Sequence, residues 1–395
     1  MQRRLRIDET MPSPSSIRNA LKVTTFSSFA DLPPACAHLF EPGGTQDVFE
    51  SLPWFLNFEK HALDPGDQIR IYAVRRNDAE TPLAALAMRS TAHPASWLRG
   101  RELSSLTNFY TSRFAPACTC TGTERTEALA VLADAIRCDS PRWDAVHLRP
   151  LDAGSELFEQ LAQAFRRAGL VVHPYFCFGN WYLPVGGRSF EQYLESLPGK
   201  ARNTLQRKTK KLEKSGIARI EIVTGKENLE PAIQAYQKVY NASWKVPEPY
   251  PEFVPGLIRT CTTNGWLRLG LVYIEGEPAA AQIWIVHGGT ASIYKLAYDE
   301  RFAQHSVGTI LTARLMQHAL DVDRVNEVDY LTGDDPYKRD WMSHRRELWG
   351  LLAFNPATVR GLAQIARHTG GRVAKSFLRR LAGRPARAPA AAQAV

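Results

Sequence analysis

Leu267-Arg-Leu-Gly-Leu-Val-Tyr-Ile274, Ala279-Ala-Ala-Gln-Ile-Trp-Ile-Val286 and Ala291-Ser-Ile-Tyr-Lys-Leu-Ala-Tyr298 are three apolar-rich runs, separated by Glu275-Gly-Glu-Pro278 and by Gly288-Gly289. Strand-like runs joined by tight, glycine-containing turns predict a three-stranded meander. A helix over Val307 to Leu320, a strand over Val328 to Leu331 and a short helix near Tyr337 follow it. The same order occurs earlier in the chain. Ile69 to Val74 and Leu83 to Arg89 flank Asn77-Asp-Ala-Glu-Thr-Pro82, and then come a helix over Glu124 to Arg137, a strand over Ala145 to Leu148 and a helix over Glu156 to Ala168. This duplicated order predicts a mixed α/β (α+β) fold of two tandem halves, each a mixed central sheet flanked by helices.

Length agrees, since 395 residues suggest roughly two domains of about 150. Hydrophobic residues at 44% fill real cores, and no run approaches the ~18 apolar residues that span a bilayer. The start carries basic residues with no apolar stretch behind them, which disfavours a secretory signal. Six cysteines form no C-x-x-C pair, and Cys118-Thr-Cys120 is too weak a pattern to imply a metal. A reduced, cytoplasmic protein without a metal is expected. The net charge of +9 is local: Lys200 to Lys214 holds seven basic residues and one acid, Ala357 to Arg384 seven and none. The boundaries expected are a disordered lead over 1–20, halves over 21–184 and 185–355, a basic amphipathic segment over 356–383 and a disordered tail over 384–395.

Two stretches carry chemistry. In Tyr294 to Leu311 a strand ends near Tyr298 and a helix begins near Val307, with Ser306 as its expected N-cap. The free N–H groups of that first turn, around Val307, Gly308 and Thr309, suit a pyrophosphate, and Gly308 leaves room for its approach. In Val328 to Met342, Pro336 suits a first helical position after Asp335 as N-cap, which puts Lys338 in the first turn. A cation there opposes the helix dipole. It would hold a phosphate, polarise a carbonyl, or pair with Asp334 or Asp335.

Gly333-Asp-Asp-Pro-Tyr-Lys-Arg-Asp-Trp341, followed by the strand-like Arg346 to Phe354, resembles the close of the GNAT-type acetyltransferase domain of CelD-like and FemAB-like bacterial proteins. Leu197-Pro-Gly-Lys200-Ala-Arg202 and the basic helix after it resemble that domain's start, so the likeness covers about 185–355. Gln304 and Gly308 loosely resemble the family's Q/R-x-x-G-x-G/A phosphate loop. The resemblance implies tandem GNAT-like halves, a coenzyme A thioester or acyl-carrier thioester as donor, and a lysine after an aromatic, here Lys338 after Tyr337, that stabilises an oxyanion.

An amine attacking a thioester needs a proton acceptor and oxyanion donors. Asp329, Asp334 and Asp335 are base candidates, with His287 and His305 behind them; Tyr298 or Tyr337 would protonate the departing thiolate. Lys200, Arg202 and Tyr298 are the expected substrate contacts. The amphipathic segment Val359 to Leu381 fits an anionic membrane surface, a peripheral place on the inner membrane, and a lipid amine as acceptor. A likeness to bacterial ceramide synthases makes a sphingoid base the leading acceptor. The alternatives are an aminoacyl-tRNA-dependent transferase contacting RNA through the 200–214 helix, a polysaccharide acetyltransferase, or a membrane- or nucleic-acid-binding module without catalysis.

Overall fold

In the computed structural model, which describes residues 14–41, 47–91 and 100–369, Leu267, Leu269 and Leu271 turn to one core and Val272 and Ile274 to another. The period of two therefore buries the meander on both faces. Gly270 lies on the second face, where a Cβ would come within 2.8 Å of Leu311 and Leu315, so glycine sets how closely the helix Val307–Gln317 seats on the sheet. Gly288 and Gly289, at φ 54° and 77°, supply the consecutive left-handed residues of a tight hairpin.

The strands are β1 (Leu21–Phe26), β2 (Asp67–Arg76), β3 (Pro82–Thr91), β4 (Glu102–Ser105), β5 (Ala117–Cys118), β6 (Ala145–Asp152), β7 (Val171–Pro184), β8 (Ala218–Val223), β9 (Leu267–Ile274), β10 (Glu277–His287), β11 (Thr290–Tyr298), β12 (Glu327–Asp329) and β13 (His344–Phe354). They form one continuous mixed sheet in the order β1-β2-β3-β4-β6-β13-β7-β12-β11-β10-β9-β8, with β5 on β3. Two pairs, β4 with β6 and β11 with β12, are parallel. The sequence suggested a sheet in each half, and a strand exchange fuses them. β7 pairs with β12 of the second half, while β13, from the far end of the chain, runs between β6 and β7.

Helices Gly122–Arg137 and Glu156–Arg167 cover one face of the first half, and Gly199–Ser215 and Val307–Gln317 cover the corresponding face of the second. A third core spans both halves. In it the buried Trp54 indole meets Phe253 edge-on at 5.5 Å and Tyr294 at 6.0 Å, and Asn57 Nδ2 donates to Phe253 O at 3.2 Å. Pro14–Asn19, expected within the disordered lead, is a short helix whose Arg18 pairs with Asp134. The helix from Val307 gives way at His318–Val322 to a π turn. Residues 359–369 are helical, with Val359 and Leu362 86% and 53% exposed. The rest of the basic segment, the tail and residues 1–13 lie outside the described residues. No described helix is long and apolar enough to cross a membrane.

Candidate active site

The site is a fork in the sheet. Parallel pairing of β11 with β12 lasts three residues, Thr290↔Glu327, Ala291↔Val328 and Ser292↔Asp329, and then the strands part. Past that point β11 carries a bulge: Ile283 opposes Lys295 and Trp284 opposes Ile293, which leaves Tyr294 as the extra residue. On the other prong Leu331 adopts φ 55° and turns the chain away. Asp329 holds the crotch and is 1% exposed. Its Oδ1 accepts from Asn180 Nδ2 (2.6 Å) and Leu331 N (2.7 Å), and its Oδ2 from Arg113 Nη2 (2.8 Å) and Arg346. Four donors occupy this carboxylate and it does not line the cleft, so the geometry gives it a bracing task in place of the base role considered from sequence.

Two chambers open from the fork. The larger, about 860 Å³, lies between the helices Gly199–Ser215 and Val307–Gln317 and the ends of β10 and β11. The smaller, about 210 Å³, is lined in part by Phe109, Tyr110 and Ser112 of the first half. Lys245, Leu296, Tyr330, Asp335 and Tyr337 line both, so they stand where the chambers meet.

In the larger chamber Gly308, Thr309, Lys200 and Tyr298 are in the wall, whereas Gln304, Ser306, Val307 and Arg202 are not. Val307 is buried in the core. Ser306 stands at the N-cap position, but the preceding turn Glu300–His305 drives it to φ 56° and its side chain makes no capping bond, contrary to expectation. The first helical bond runs from Ile310 N to Ser306 O, so the N–H groups of 307–309 precede the intrahelical ladder. Gln282, a buried amide in an apolar strand, donates to Gly308 O (3.0 Å) and Thr312 Oγ1 (2.8 Å) and pins this turn to β10. Trp244 lies 4.8 Å from the Tyr298 ring.

At the junction Tyr337 is 45% exposed and packs edge-on to the buried Tyr330 at 5.6 Å. Burial, and then the Asp335 charge, push the Tyr337 hydroxyl up to about 12, so it keeps its proton at neutral pH. Asp335 makes no side-chain cap bond either, and its carboxylate stays half exposed, 3.5 Å from Lys338 Nζ. Lys338 itself is 4% exposed. Its ammonium donates to Thr332 O at 2.5 Å and lies 3.4 Å from Tyr330 O and Gly333 O, because the turn at Leu331 converges these carbonyls on it. Burial pulls its pKa down while Asp335 opposes that shift. The turn Pro336–Asp340 is a short 3-10 turn, so converged carbonyls, and no helix dipole, set the lysine's environment. Asp334 is taken by Arg345 (2.8 Å) and Trp181 Nε1 (2.7 Å). His287 packs on Trp266, away from the cleft, and His305 does not line it.

Sequence reasoning missed the smaller chamber. Lys295 Nζ lies 2.6 Å from Glu248 Oε1, and Tyr110 OH donates to Glu248 Oε2 at 2.6 Å. Burial pushes the Glu248 carboxyl up, yet Lys295 and the hydroxyls outweigh it and hold it below the usual range. The corresponding fork in the first half is plugged. β4 and β6 part after Ser104↔His147, but Ser105 Oγ and Thr107 Oγ1 both donate to Arg149 O and Phe114 N donates to Pro150 O. Cys118 and Cys120 are free thiols that burial pushes up to about 12 and 11.

Residues 199–339 match the family described as acetyltransferase (GNAT) domain. No curated protein sequence matches the chain. Among solved structures, FemX superposes with a TM-score of 0.57 at 11% identity, over 83% of this chain and 96% of its own. A tandem GNAT protein from the clavulanic acid biosynthesis pathway follows at 0.48 and 11%, over 84% and 98%. The C-terminal domain of a putative lysylphosphatidylglycerol synthetase from Agrobacterium fabrum gives 0.46 and 10%, over 72% and 84%.

Proposed function

We propose, from the premise that this chain carries a GNAT acetyltransferase domain in its second half, that it moves an acyl group from a thioester onto a primary amine where its two chambers meet. The observation that carries the reading is that junction, where Asp335 and Tyr337 line both chambers beside the fork at which β11 and β12 part. The donor lies in the larger chamber. Its pyrophosphate takes the N–H groups of Gly308 and Thr309, with Lys200 and Lys208 beside them. The amine enters the smaller chamber between Phe109, Tyr110 and Tyr337.

In the reaction the amine nitrogen bonds to the thioester carbonyl carbon and gives its proton to the Asp335 carboxylate, while backbone N–H groups receive the developing oxyanion. The carbon–sulfur bond then breaks, and the departing thiolate takes the Tyr337 proton, which Asp335 returns. The products are an amide and a thiol. Lys338 acts as a positioning residue that keeps the 330–335 turn, and with it Asp335, at the junction.

The acceptor we favour is a lipid amine such as a sphingoid base. Support comes from the exposed Phe109 at the chamber and from the solvent-facing Val359 and Leu362 beside Arg360 on the 359–369 helix. An aminoacyl-tRNA-dependent transfer would use the same junction, and ribonuclease sensitivity separates it. Asp335→Asn and Tyr337→Phe should each fold normally and lower single-turnover rate by roughly 100-fold, the usual size of a lost acid or base. Mass spectrometry of lipids and small amines from cells with and without the protein identifies the acceptor. Full activity in both variants would remove the junction from the chemistry.

A further inference from the structure

The helix Gly199–Ser215 walls the larger chamber and carries more positive charge than a chamber wall needs. Arg207, Lys210, Lys211 and Lys214 recur at i, i+3, i+4 and i+7, so they fall on one helical face, and all four are exposed. Lys200 and Lys208 continue this face into the chamber, which Leu205 also lines, while Leu212 anchors the helix to the core. Among the described residues none of these six cations forms an ion pair. Elsewhere in this half Lys238, Arg259, Arg268, Arg301 and Arg345 each meet a carboxylate. Like charges three and four residues apart repel on a helix, so an unneutralised stripe is a cost that no ion pair among the described residues offsets.

We infer that this face docks an acidic carrier protein, which delivers the acyl thioester into the larger chamber on a phosphopantetheine arm. The inference rests on the acyl-thioester reading above. Lys200 and Lys208 suffice for phosphates within the chamber, whereas Arg207, Lys210, Lys211 and Lys214 do not line it and reach only a body outside. That body is anionic, and it runs along about 11 Å of helix, two turns, the length over which one acidic helix can lie alongside. RNA fits this face less well. The helix has no aromatic side chain for bases to stack on, and four cations are few for a surface that binds through backbone phosphates. Charge complementarity of this kind sets encounter rate and partner choice, and salt weakens it.

The test compares palmitoyl-CoA, a bacterial fatty-acid acyl carrier protein loaded with a palmitoyl chain, and bulk transfer RNA, each titrated against the full chain and against an Arg207→Glu/Lys211→Glu/Lys214→Glu variant. A gentler Arg207→Gln/Lys211→Gln variant and the melting temperatures of both guard against misfolding. We expect the loaded carrier to bind the triple variant at least 10-fold more weakly. A similar loss is expected for the unaltered chain between 50 and 300 mM salt. Protection by palmitoyl-CoA should stay within twofold in both variants. Carrier binding that ignores the substitutions overturns the inference, and so does a stripe whose loss affects transfer RNA alone. If the unaltered chain binds neither thioester, the acyl-thioester reading fails as well, and that result differs from a chain that binds palmitoyl-CoA but no carrier.

Discussion

Lys338 lines the smaller chamber, and its surroundings differ most from those expected of it. As a first-turn cation it reads as an oxyanion donor that adds little to stability, but here its ammonium is buried among the carbonyls of Tyr330, Thr332 and Gly333. Lys338→Met should therefore destabilise the protein by roughly 3 kcal/mol, since it strands buried acceptors. Calorimetry checks this, and an unchanged melting temperature would return the lysine to a catalytic role. Glu50 makes the second prediction at this scale. Burial pushes its carboxyl up to about 8, with Asp47 adding to the shift and Arg113 opposing it. Between its ordinary value near 4.5 and 8 the folded state then holds a proton that the unfolded chain has released. Stability from this group is complete below that window and is lost as pH rises through it. Melting temperature should fall from pH 5 to pH 8, and Glu50→Gln should flatten the fall; an identical slope in the variant would disprove it. Of the junction, Asp335 and Tyr337 were legible in Gly333-Asp-Asp-Pro-Tyr-Lys338, because the glycine, proline and aromatic are local turn signals. Phe109, Tyr110 and Lys245 were not, because only tertiary folding carries them to a tract at least 88 positions away.

Among elements, the helix Val307–Gln317 decides donor binding through its first turn. A Cβ on Gly308 would come 3.3 Å from Tyr298 Cδ1, inside ordinary contact, and a branched side chain would project further toward the chamber. Gly308→Val should thus leave a folded protein whose thermal protection by a coenzyme A thioester is reduced at least 10-fold in apparent affinity, because only ligand bound to the folded state raises the melting temperature. Equal protection would exclude this turn from the donor site. The meander was readable because Leu267, Leu269 and Leu271 alternate with turn-facing or helix-facing neighbours and its turns carry glycine. β7 was not readable. Val171-Val-His-Pro-Tyr-Phe-Cys-Phe-Gly-Asn-Trp-Tyr-Leu-Pro184 has Pro174 inside it, which argues against a strand, and most of its residues are half-buried on either face, so it shows no clean alternation.

For the whole molecule, the exchange of β7 and β13 makes the halves interdependent. A fragment ending at Pro184 lacks β13, one of the two neighbours of β6, and it also loses Phe253 and Tyr294, two of the ring partners of Trp54. Expressed alone it should aggregate or show a non-cooperative melt, whereas the chain ended at residue 369 should melt as one unit; a cooperative transition in the short fragment would refute this. The mixed class and the tandem order followed from element succession, but the crossing itself is long-range pairing, which no local pattern encodes. The same crossing bears on synthesis. β13 leaves the ribosome after nearly everything else described here, so the flank of β6 stays unpaired while some two hundred further residues are translated. Through that interval the nascent first half exposes an open edge of the kind that chaperones shield and that aggregates recruit.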